Sequence, residues 1–543
     1  LAEELAEATT AYFGELGEAT LADKLIAFFE SLVEGTAWGR VVLNAMEGGK
    51  AYRALILAPV SVYIEYGAGK RARGGEVALG EPTVETWAEL LMRLAHWLAG
   101  RGIEEFTARP EGDVVKVLIN GKEAATVEAK RVEEGRMVFL VRGKLADEVG
   151  REAIAPLENV ERGKAEPYQS RALLATDGSY NAKKEIVHAE TTSVVQAALY
   201  RRLGMEVSYT DYANLTEDDL KPELVALLPK GEGGEEWVQL VKSDLENGVK
   251  ALLSDPKRRE ELKEKALALL EQVDMPGEAR ATIRERVKKF LNDLRLGEGG
   301  AVCLQDVKGC EHVLTYKHET YARVIAPLLH YIAEEAPLDE VPKFLAYTIL
   351  FDGSVSPKEV LLTVGHFGAR SEGKQLPLDI YDKIALCIVL VAKYDVDVRR
   401  VRIGKGEAMI FFNREYAAEM FFAAWADFSG LLRWGRERAG PGDHILKKLD
   451  AVRGYVESRV EKIKIEHKLI GDGVVVWFKD EAGGELAYIN IGWDGESLRA
   501  YFNGAKERAE RLAAILNVLG ADAEARESGW GWRVVLYTDS ITA

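Results

Sequence analysis

Two short motifs place an aspartate, a glycine and a serine directly after an apolar, helix-like segment. The first contains Asp177-Gly178-Ser179 and the second contains Asp352-Gly353-Ser354. Two carboxylates at adjacent helix ends form a hard oxygen site of the kind that Mg²⁺ prefers, and such a site stabilises the attacking and leaving oxygens of a phosphodiester. The simpler interpretation is a helix end followed by a tight turn, where aspartate and glycine are favoured residues.

The same order of predicted elements follows both motifs. A strand comes first (185–192 and 359–367), then an apolar helix, then two β-rich runs, which gives αβαββ twice. A helix followed by two strands is also predicted at 86–119 and at 505–538. The recurrence favours an α+β protein with a duplicated αβαββ core and flanking α+β domains.

The positions of these elements predict four domains. These are an N-terminal α+β domain (1–160), a first αβαββ repeat with a charged helical connector (161–300), a second repeat (301–440) and a C-terminal α+β domain (441–543). The connector is expected to break near Asp255-Pro256 and near Met275-Pro276-Gly277, and its mixed charges are typical of solvated helix faces. Because the chain begins with Leu1 rather than Met, a fragment of a longer product is one interpretation.

Composition limits the class of protein. Apolar residues make up 47% and charged residues 29%, which is the balance of a globular protein. The net charge of −17 argues against wholesale nucleic-acid binding and requires any such partner to use a local basic patch. The longest apolar run, Ile384 to Ala392, has nine residues and is too short to span a membrane. The first residues are acidic where a secretory signal would have a basic start and an apolar centre, which predicts a cytoplasmic protein.

Heat adaptation is also predicted from composition. The chain has 11 Asn and 6 Gln against 159 charged residues. Few heat-labile amides beside many Glu, Lys and Arg are typical of hyperthermophile proteins.

The second motif resembles the LAGLIDADG helix of homing endonucleases, with matches at Leu345, Ala346, Ile349, Asp352 and Gly353. The first motif is similar over its last six positions. In that family two such helices pack side by side, and the acidic residue before the terminal glycine binds a divalent metal at the scissile phosphates. The resemblance therefore implies a divalent-metal-dependent DNA endonuclease, with Asp177 and Asp352 as catalytic residues and ligands of Mg²⁺, and with double-stranded DNA as partner.

A basic strand is the candidate nucleic-acid contact. Its cationic residues are Arg399, Arg400, Arg402 and Lys405. The following run, Ala408 to Phe412, is apolar on both faces and is expected to be buried on both sides. That run favours the alternative function, a non-catalytic binding or interaction module that keeps the scaffold without nuclease activity.

A second resemblance involves the segments 172–180, 191–204, 220–222 and 537–542. They are similar to the PaRep family, type two b, which are paralogous repeat proteins of hyperthermophilic crenarchaea without an established activity. This resemblance implies an uncharacterised archaeal protein.

Two further clusters are weaker candidates. Cys303 and Cys310 are separated by six residues, more than the two to five usual between zinc ligands, which favours a hairpin over a zinc site with His312 and His318. The segment 368–375 has the spacing of a phosphate-binding loop but ends in Gln375 where a hydroxyl should bind magnesium, so no nucleotide cofactor is predicted.

Overall fold

The computed structural model describes residues 101–536 with short gaps, together with 40–47, 50–57, 61–65, 94, 97, 98 and 100. The gaps are 104, 112–113, 132–136, 216–219, 298–300, 307–308, 318, 365–369, 372–373, 376–379, 404–407, 441, 472, 494–497 and 530. The chain divides into two compact units, one of residues 1–159 and 208–225 and the other of residues 160–207 and 226–543. The four domains of the sequence analysis stay a prediction.

In chain order, the first elements are β1 (Arg40–Glu47), β2 (Lys50–Leu57), β3 (Ser61–Glu65), β4 (Glu105–Glu111), β5 (Val114–Ile119), β6 (Lys122–Arg131), β7 (Met137–Arg142), α1 (Lys144–Ile154), α2 (Pro167–Ala175), β8 (Ser179–Asn181), β9 (Ile186–Thr191), α3 (Val194–Arg202), β10 (Glu206–Leu215) and β11 (Leu220–Leu228). Next come α4 (Gly234–Ser254), α5 (Pro256–Gln272), α6 (Gly277–Asp293), β12 (Leu294–Leu296), β13 (Val302–Asp306), β14 (Gly309–Leu314), α7 (Glu319–Ala333), α8 (Glu340–Asp352), β15 (Gly353–Val355), β16 (Val360–Val364), β17 (Arg370–Ser371) and β18 (Lys374–Gln375). The last are α9 (Ile380–Lys393), β19 (Val398–Ile403), β20 (Ala408–Phe412), α10 (Arg414–Arg438), α11 (His444–Val460), β21 (Lys464–Ile470), β22 (Gly473–Lys479), β23 (Glu485–Trp493), β24 (Leu498–Tyr501), β25 (Asn503–Gly504), α12 (Lys506–Val518), β26 (Ala523–Ser528) and β27 (Gly531–Leu536).

The first unit is built on a mixed sheet in which β7 is followed by β10 and then β11. Strands β4 to β7 form an antiparallel meander. Strand β10 pairs antiparallel with β7, with Tyr212 opposite Arg142. Apolar residues alternate along these strands; Val115, Val117 and Val127 are fully or nearly fully buried. Period-two burial is expected where one face of a sheet forms a core.

The order of elements after each Asp-Gly motif differs from the predicted one. Two strands follow each motif directly, and after the second motif the two-residue strands β17 and β18 also precede α9. The order is therefore αββαββ at the first motif and αββββαββ at the second, and not αβαββ. Strand β8 pairs antiparallel with β9, and β15 pairs in the same way with β16. The prediction missed β8 and β15 because each has three residues, fewer than the four to eight that give a readable strand pattern.

In the second unit a four-stranded sheet has the order β15-β16-β20-β19. Its buried face carries Val360, Leu362, Val364 and Ile410. Strand β20 is buried along its length except at the half-buried Met409, which agrees with the apolar pattern of Ala408 to Phe412. Helices α2, α8 and α9 consist almost wholly of buried residues, so they form the centre of this unit.

The charged connector forms three helices, α4 to α6, which break at the predicted positions. Asp255 accepts a hydrogen bond from the backbone N–H of Arg258, and Pro256 occupies the first position of α5, a favourable start for a helix. The apolar faces of these helices pack against α7 and α9. Their outer faces carry the expected ion pairs, such as Lys257 with Glu261 and Lys288 with Glu285.

The remaining part of the second unit joins α10 and α11 to two antiparallel sheets. Their strand orders are β21-β22-β23-β24 and β25-β27-β26, and α12 packs against the strands of both. A glycine follows the end of α12: Gly520 has a φ of 94°, a left-handed conformation that glycine adopts without strain. Helices beside antiparallel sheets make this an α+β protein, as expected.

Candidate functional site

The two motif helices, α2 and α8, pack side by side. The amide nitrogen of Gln169 donates a hydrogen bond of 2.8 Å to the hydroxyl of Tyr347, and the ring of Tyr168 meets that of Tyr347 at 5.8 Å. Phe351 of α8 stacks on Tyr200 of α3, with ring centroids 6.0 Å apart. Buried aromatic rings and a polar pair therefore join the helices.

The aspartates of the two motifs lie near enough for Asp352 to affect the pKa of Asp177. Burial, and after it the neighbouring carboxylate of Asp352, raises the pKa of Asp177 to about 6, although Tyr200, Gln196 and Lys448 act to lower it. Burial also raises the pKa of Asp352. A carboxylate whose ionised form is disfavoured by burial and by a second carboxylate is a feature of sites that bind cations or protons.

The two carboxylates differ in their hydrogen bonds. Oδ2 of Asp177 accepts hydrogen bonds from Nε2 of Gln196 at 2.5 Å and from the hydroxyl of Tyr200 at 3.2 Å, and both donors lie on α3. The carboxylate of Asp352 forms no hydrogen bond or ion pair with any residue that the structure describes. Three of the four carboxylate oxygens thus accept no hydrogen bond from a described residue.

Three cations surround the aspartates. Arg323 of α7 donates hydrogen bonds to the backbone carbonyls of Thr176, at 2.8 Å, and of Gly178, at the end of α2. Lys448 of α11 donates in the same way to the carbonyl of Leu350 near the end of α8, at 3.1 Å. The last carbonyls of a helix lack partners and carry partial negative charge, so each cation caps one motif helix.

The third cation is Lys383 of α9, which interacts electrostatically with Asp352. Burial lowers the pKa of Arg323, Lys383 and Lys448, and the aspartates oppose this effect. The site is therefore a half-buried group of two acidic and three basic side chains, all shifted towards their neutral forms. Such clusters of shifted pKa values are concentrated at functional sites, although structural ion networks show them too.

The site offers oxygen ligands for a divalent cation, but it also contains basic side chains that compete with such a cation. Carboxylate oxygens and main-chain carbonyls are the ligands that Mg²⁺ and Ca²⁺ prefer. Within the described residues, no group of three or more His, Cys, Asp or Glu side chains is placed to hold a metal, so Asp177 and Asp352 would have to be completed by carbonyls and water. The three neighbouring cations would compete with a bound metal for the negative charge of the two carboxylates.

The predicted basic strand, β19, is only partly available for contacts. Arg400 forms an ion pair with Glu359 at 3.4 Å, and its guanidinium lies over the ring of Phe411. Arg399 and Arg402 are exposed, and they form no ion pair with a described residue. Lys405 lies outside the described residues.

Sequence reasoning missed Gln196, Tyr200, Arg323, Lys383 and Lys448. One of them had a signal in the sequence, because Lys383 immediately precedes the apolar run Ile384 to Ala392, where a charged residue is unusual. Gln196 and Tyr200 lie on α3, the next helix after the first motif, whereas Arg323 and Lys448 come from helices that are distant from their partners in the chain.

The cysteines do not form the weaker candidate site. Cys303 lies on the β13–β14 hairpin and is disulfide-bonded, so its sulfur is not a free zinc ligand. His318 is outside the described residues. Cys387 is buried in α9, and burial raises the pKa of its thiol to about 11, as suits a core residue. No helix in the described part of the chain has the length and apolar character needed to cross a bilayer.

Fold and site together define an α+β protein with a half-buried pair of carboxylates at the ends of two packed helices. Residues 401–543 match the model of the family described as PaRep2b protein. The predicted resemblance to the PaRep family, type two b, is thereby confirmed over that range, which includes α10 to α12 and the last two sheets. No curated protein and no solved structure matches the chain.

Proposed function

We propose that this protein acts on double-stranded DNA through a divalent-cation centre at Asp177 and Asp352, on a scaffold derived from LAGLIDADG homing endonucleases. The observation that carries the proposal is the electrostatic interaction between two aspartates 175 positions apart, each at the end of one of two packed helices. Two further observations support it: an antiparallel strand pair follows each motif helix, and the carboxylate of Asp352 accepts no hydrogen bond from a described residue.

The side chains of the centre have separate roles in this proposal. Asp352 and the free oxygen of Asp177 hold the cation, while Gln196 and Tyr200 fix the orientation of Asp177. Arg323 and Lys448 hold the ends of α2 and α8 in place by binding their carbonyls. When bound, Mg²⁺ would stabilise negative charge on the oxygens of a phosphodiester. Arg399, Arg402 and Lys405 of the basic strand region would contact the DNA backbone.

The proposal is tested first by metal binding, which does not require the DNA target to be known. Mg²⁺ or Ca²⁺ should raise the melting temperature, because a cation relieves the repulsion between the carboxylates. Asp352→Asn should abolish that rise and should leave the apo protein at least as stable. Glu190→Gln, at an exposed position of β9, is the control. The metal centre is refuted if neither ion changes the melting temperature of the unmodified protein.

DNA binding is tested separately with fluorescent duplexes at low and high salt. The triple variant Arg399→Gln/Arg402→Gln/Lys405→Gln should weaken retention of duplex DNA and reduce its salt dependence, because fewer phosphate contacts release fewer counterions. Arg438→Gln, which removes an exposed arginine from the end of α10, should not. Equal retention by both variants would argue against the strand as the contact.

A second candidate is a non-catalytic binding module that keeps the same scaffold. The specific observation in its favour is the presence of three cations, the buried Lys383 and the half-buried Arg323 and Lys448, beside two carboxylates, because their positive charge already offsets the negative charge of the aspartates. On this alternative, Asp352→Asn should lower the melting temperature, since it leaves buried cations without their counter-charge. The sign of that change, together with the response to Ca²⁺, separates the two functions.

A further inference from the structure

A cavity of about 630 Å³ opens at the other end of the motif helices, near the start of α2. Its walls come from α2, α3, α8, α10, α12 and the β26–β27 strands, and much of its lining belongs to the segment that matches the PaRep2b model. The volume is within the range of about 300–1,000 Å³ that is typical of small-molecule sites. The metal-centre proposal does not use this cavity, so a ligand of the cavity would be independent of the metal.

Arg202, the last residue of α3, contributes a guanidinium to the lining. Burial lowers its pKa, while Tyr347, Asp427 and Glu524 raise it. No residue in the described part of the chain forms a hydrogen bond or an ion pair with the guanidinium of Arg202. Arg202 is half-buried, and a guanidinium that faces a cavity matches a carboxylate that approaches with two oxygens.

Asp427 of α10 contributes the opposite charge. Its Oδ2 accepts a hydrogen bond of 2.8 Å from Tyr347, and Tyr168 and Gln169 reach the same atom at 3.5 Å. Its Oδ1 has no hydrogen-bond partner among the described residues. The carboxylate is therefore held in one orientation with a free oxygen, which suits an ammonium group or another strong donor.

Apart from Lys164 and Glu437, which are exposed to solvent, the other charges of the lining are paired within the protein. Arg433 pairs with Asp522, Lys506 pairs with Glu166, and Glu510 pairs with Lys343 outside the lining. Arg202 and Asp427 influence each other electrostatically but form no ion pair. The cavity thus contains a positive and a negative group that are kept apart, which is the complement of a zwitterion.

Two half-buried indole rings complete the lining. Trp434 lies on α10 and Trp532 on β27, and the ammonium of Lys506 lies over the ring of Trp532 at 5.0 Å. Flat aromatic surfaces in a cavity favour a planar ring in the ligand. We propose that this cavity binds an aromatic amino acid, with its carboxylate on Arg202, its ammonium on Asp427 and its ring against the tryptophans.

The proposal is tested by titration calorimetry of the full chain with L-tryptophan and three comparison compounds. Tryptamine lacks the carboxylate, indole-3-propionate lacks the ammonium, and adenosine monophosphate carries a ring and a phosphate. L-Tryptophan should bind more tightly than all three. Arg202→Gln should weaken binding of L-tryptophan and indole-3-propionate by at least about tenfold and leave tryptamine unchanged, because it removes only the charged carboxylate contact.

Asp427→Asn should produce the reverse pattern: it should weaken the binding of tryptamine and L-tryptophan and leave the binding of indole-3-propionate unchanged. Asparagine keeps an acceptor for Tyr347, and a melting curve checks that the variant is folded. If Asp427→Asn does not fold, Trp434→Leu is used instead, and it should weaken the binding of every indole compound. Arg436→Gln, on α10 but outside the lining, is the matched control and should bind normally. Absence of L-tryptophan binding at millimolar concentration, tighter binding of adenosine monophosphate, or an unchanged Arg202→Gln variant would each overturn the proposal.

Discussion

The glycine of each Asp-Gly motif lies where a side chain has no room. A Cβ atom on Gly353 would lie 2.6 Å from the carbonyl oxygen of Leu361 and 2.8 Å from the Cα of Ile349, both of which are backbone atoms. On Gly178 it would lie 2.8 Å from the carbonyl oxygen of Leu173. Neither glycine has a positive φ, so close approach of the strand to the helix, and not backbone conformation, requires glycine.

Replacement of this glycine should therefore be costly. We expect Gly353→Ala to destabilise the protein by about 1–3 kcal/mol, the usual range for forcing extra atoms into a packed region. The midpoint of urea unfolding measures the effect. Gly454→Ala is the control: it lies within α11 with open space around it, and it should stabilise slightly because alanine favours a helix. A Gly353→Ala variant as stable as the unmodified protein would contradict the steric argument.

Asp177 should give the metal-free protein a pH-dependent stability. Its pKa is about 6 in the folded chain against an ordinary value of 3.8, so the folded state binds the proton more tightly. The contribution is fully present below pH 3.8 and is lost as the pH rises through 6. Asp177→Asn lacks this loss, so it should match the unmodified protein near pH 4 and exceed its stability by about 2–3 kcal/mol at pH 7.5.

Thermal melts of both proteins at pH 4, 5, 6 and 7.5 provide the measurement. The difference between the two curves cancels the other titrating groups, which both proteins share. A difference that is the same at every pH would show that Asp177 does not titrate in this range.

At the scale of elements, a buried ion pair ties the motif helix α2 to the connector helix α4. Nε and Nη2 of Arg171 donate to the two oxygens of Asp244 at 2.8 and 2.9 Å, and both side chains are less than a tenth exposed. His330 of α7 completes the group: its Nδ1 lies 3.4 Å from Nη2 of Arg171, which can only donate. The connector is thus part of the structure that holds the candidate site.

The charge of His330 follows from the same geometry. Burial, Arg171 and Lys393 lower its pKa to about 3, so the ring is neutral and its contact of 3.4 Å with Asp244 is not an ion pair. Neutral Nδ1 accepts from Arg171, which leaves Asp244 as the only full counter-charge bonded to Arg171 at hydrogen-bond distance within the described residues.

Loss of one partner of this pair should cost more than loss of both. Asp244→Ala leaves a buried guanidinium without its counter-charge, and we expect a loss of about 3–5 kcal/mol. The double variant Arg171→Met/Asp244→Leu replaces both charges with apolar groups of similar size, and it should recover most of that loss. The free energies of unfolding of the single and double variants, measured by chemical denaturation, test this expectation. A double variant less stable than Asp244→Ala would show that the pair itself stabilises the fold.

Much of the local structure was predictable from the sequence, because it depends on neighbouring residues. The helices α3, α9 and α12, the breaks between α4, α5 and α6, and the α+β class follow from apolar spacing, proline and glycine. The three-residue strands β8 and β15 were not predictable in this way, because pairing with the next strand defines them. The cations of the site were not predictable either, since Arg323 and Lys448 reach the helix ends from α7 and α11.

At the scale of the whole molecule, the boundary between the two units does not follow the chain. Residues 208–225, which carry most of β10 and β11, belong to the first unit although the chain on either side of them belongs to the second. In the first unit β10 pairs with β7, with Ala213 opposite Val141 and Leu215 opposite Phe139. Ala213 and Leu215 are buried there.

This arrangement predicts the behaviour of truncated chains. A chain of residues 160–543 lacks β7, so β10 would become an open edge with unpaired N–H and C=O groups and exposed apolar side chains, a ready site for aggregation. We expect this chain to be markedly less soluble than the full chain, to bind a dye specific for exposed apolar surface and to form oligomers in size-exclusion chromatography. The substitutions Leu215→Lys and Ala213→Thr should restore the solubility of the truncated chain, because charge on an edge strand blocks pairing between chains. A soluble, monomeric 160–543 chain would show that β10 does not depend on β7, and that the second unit folds without the first.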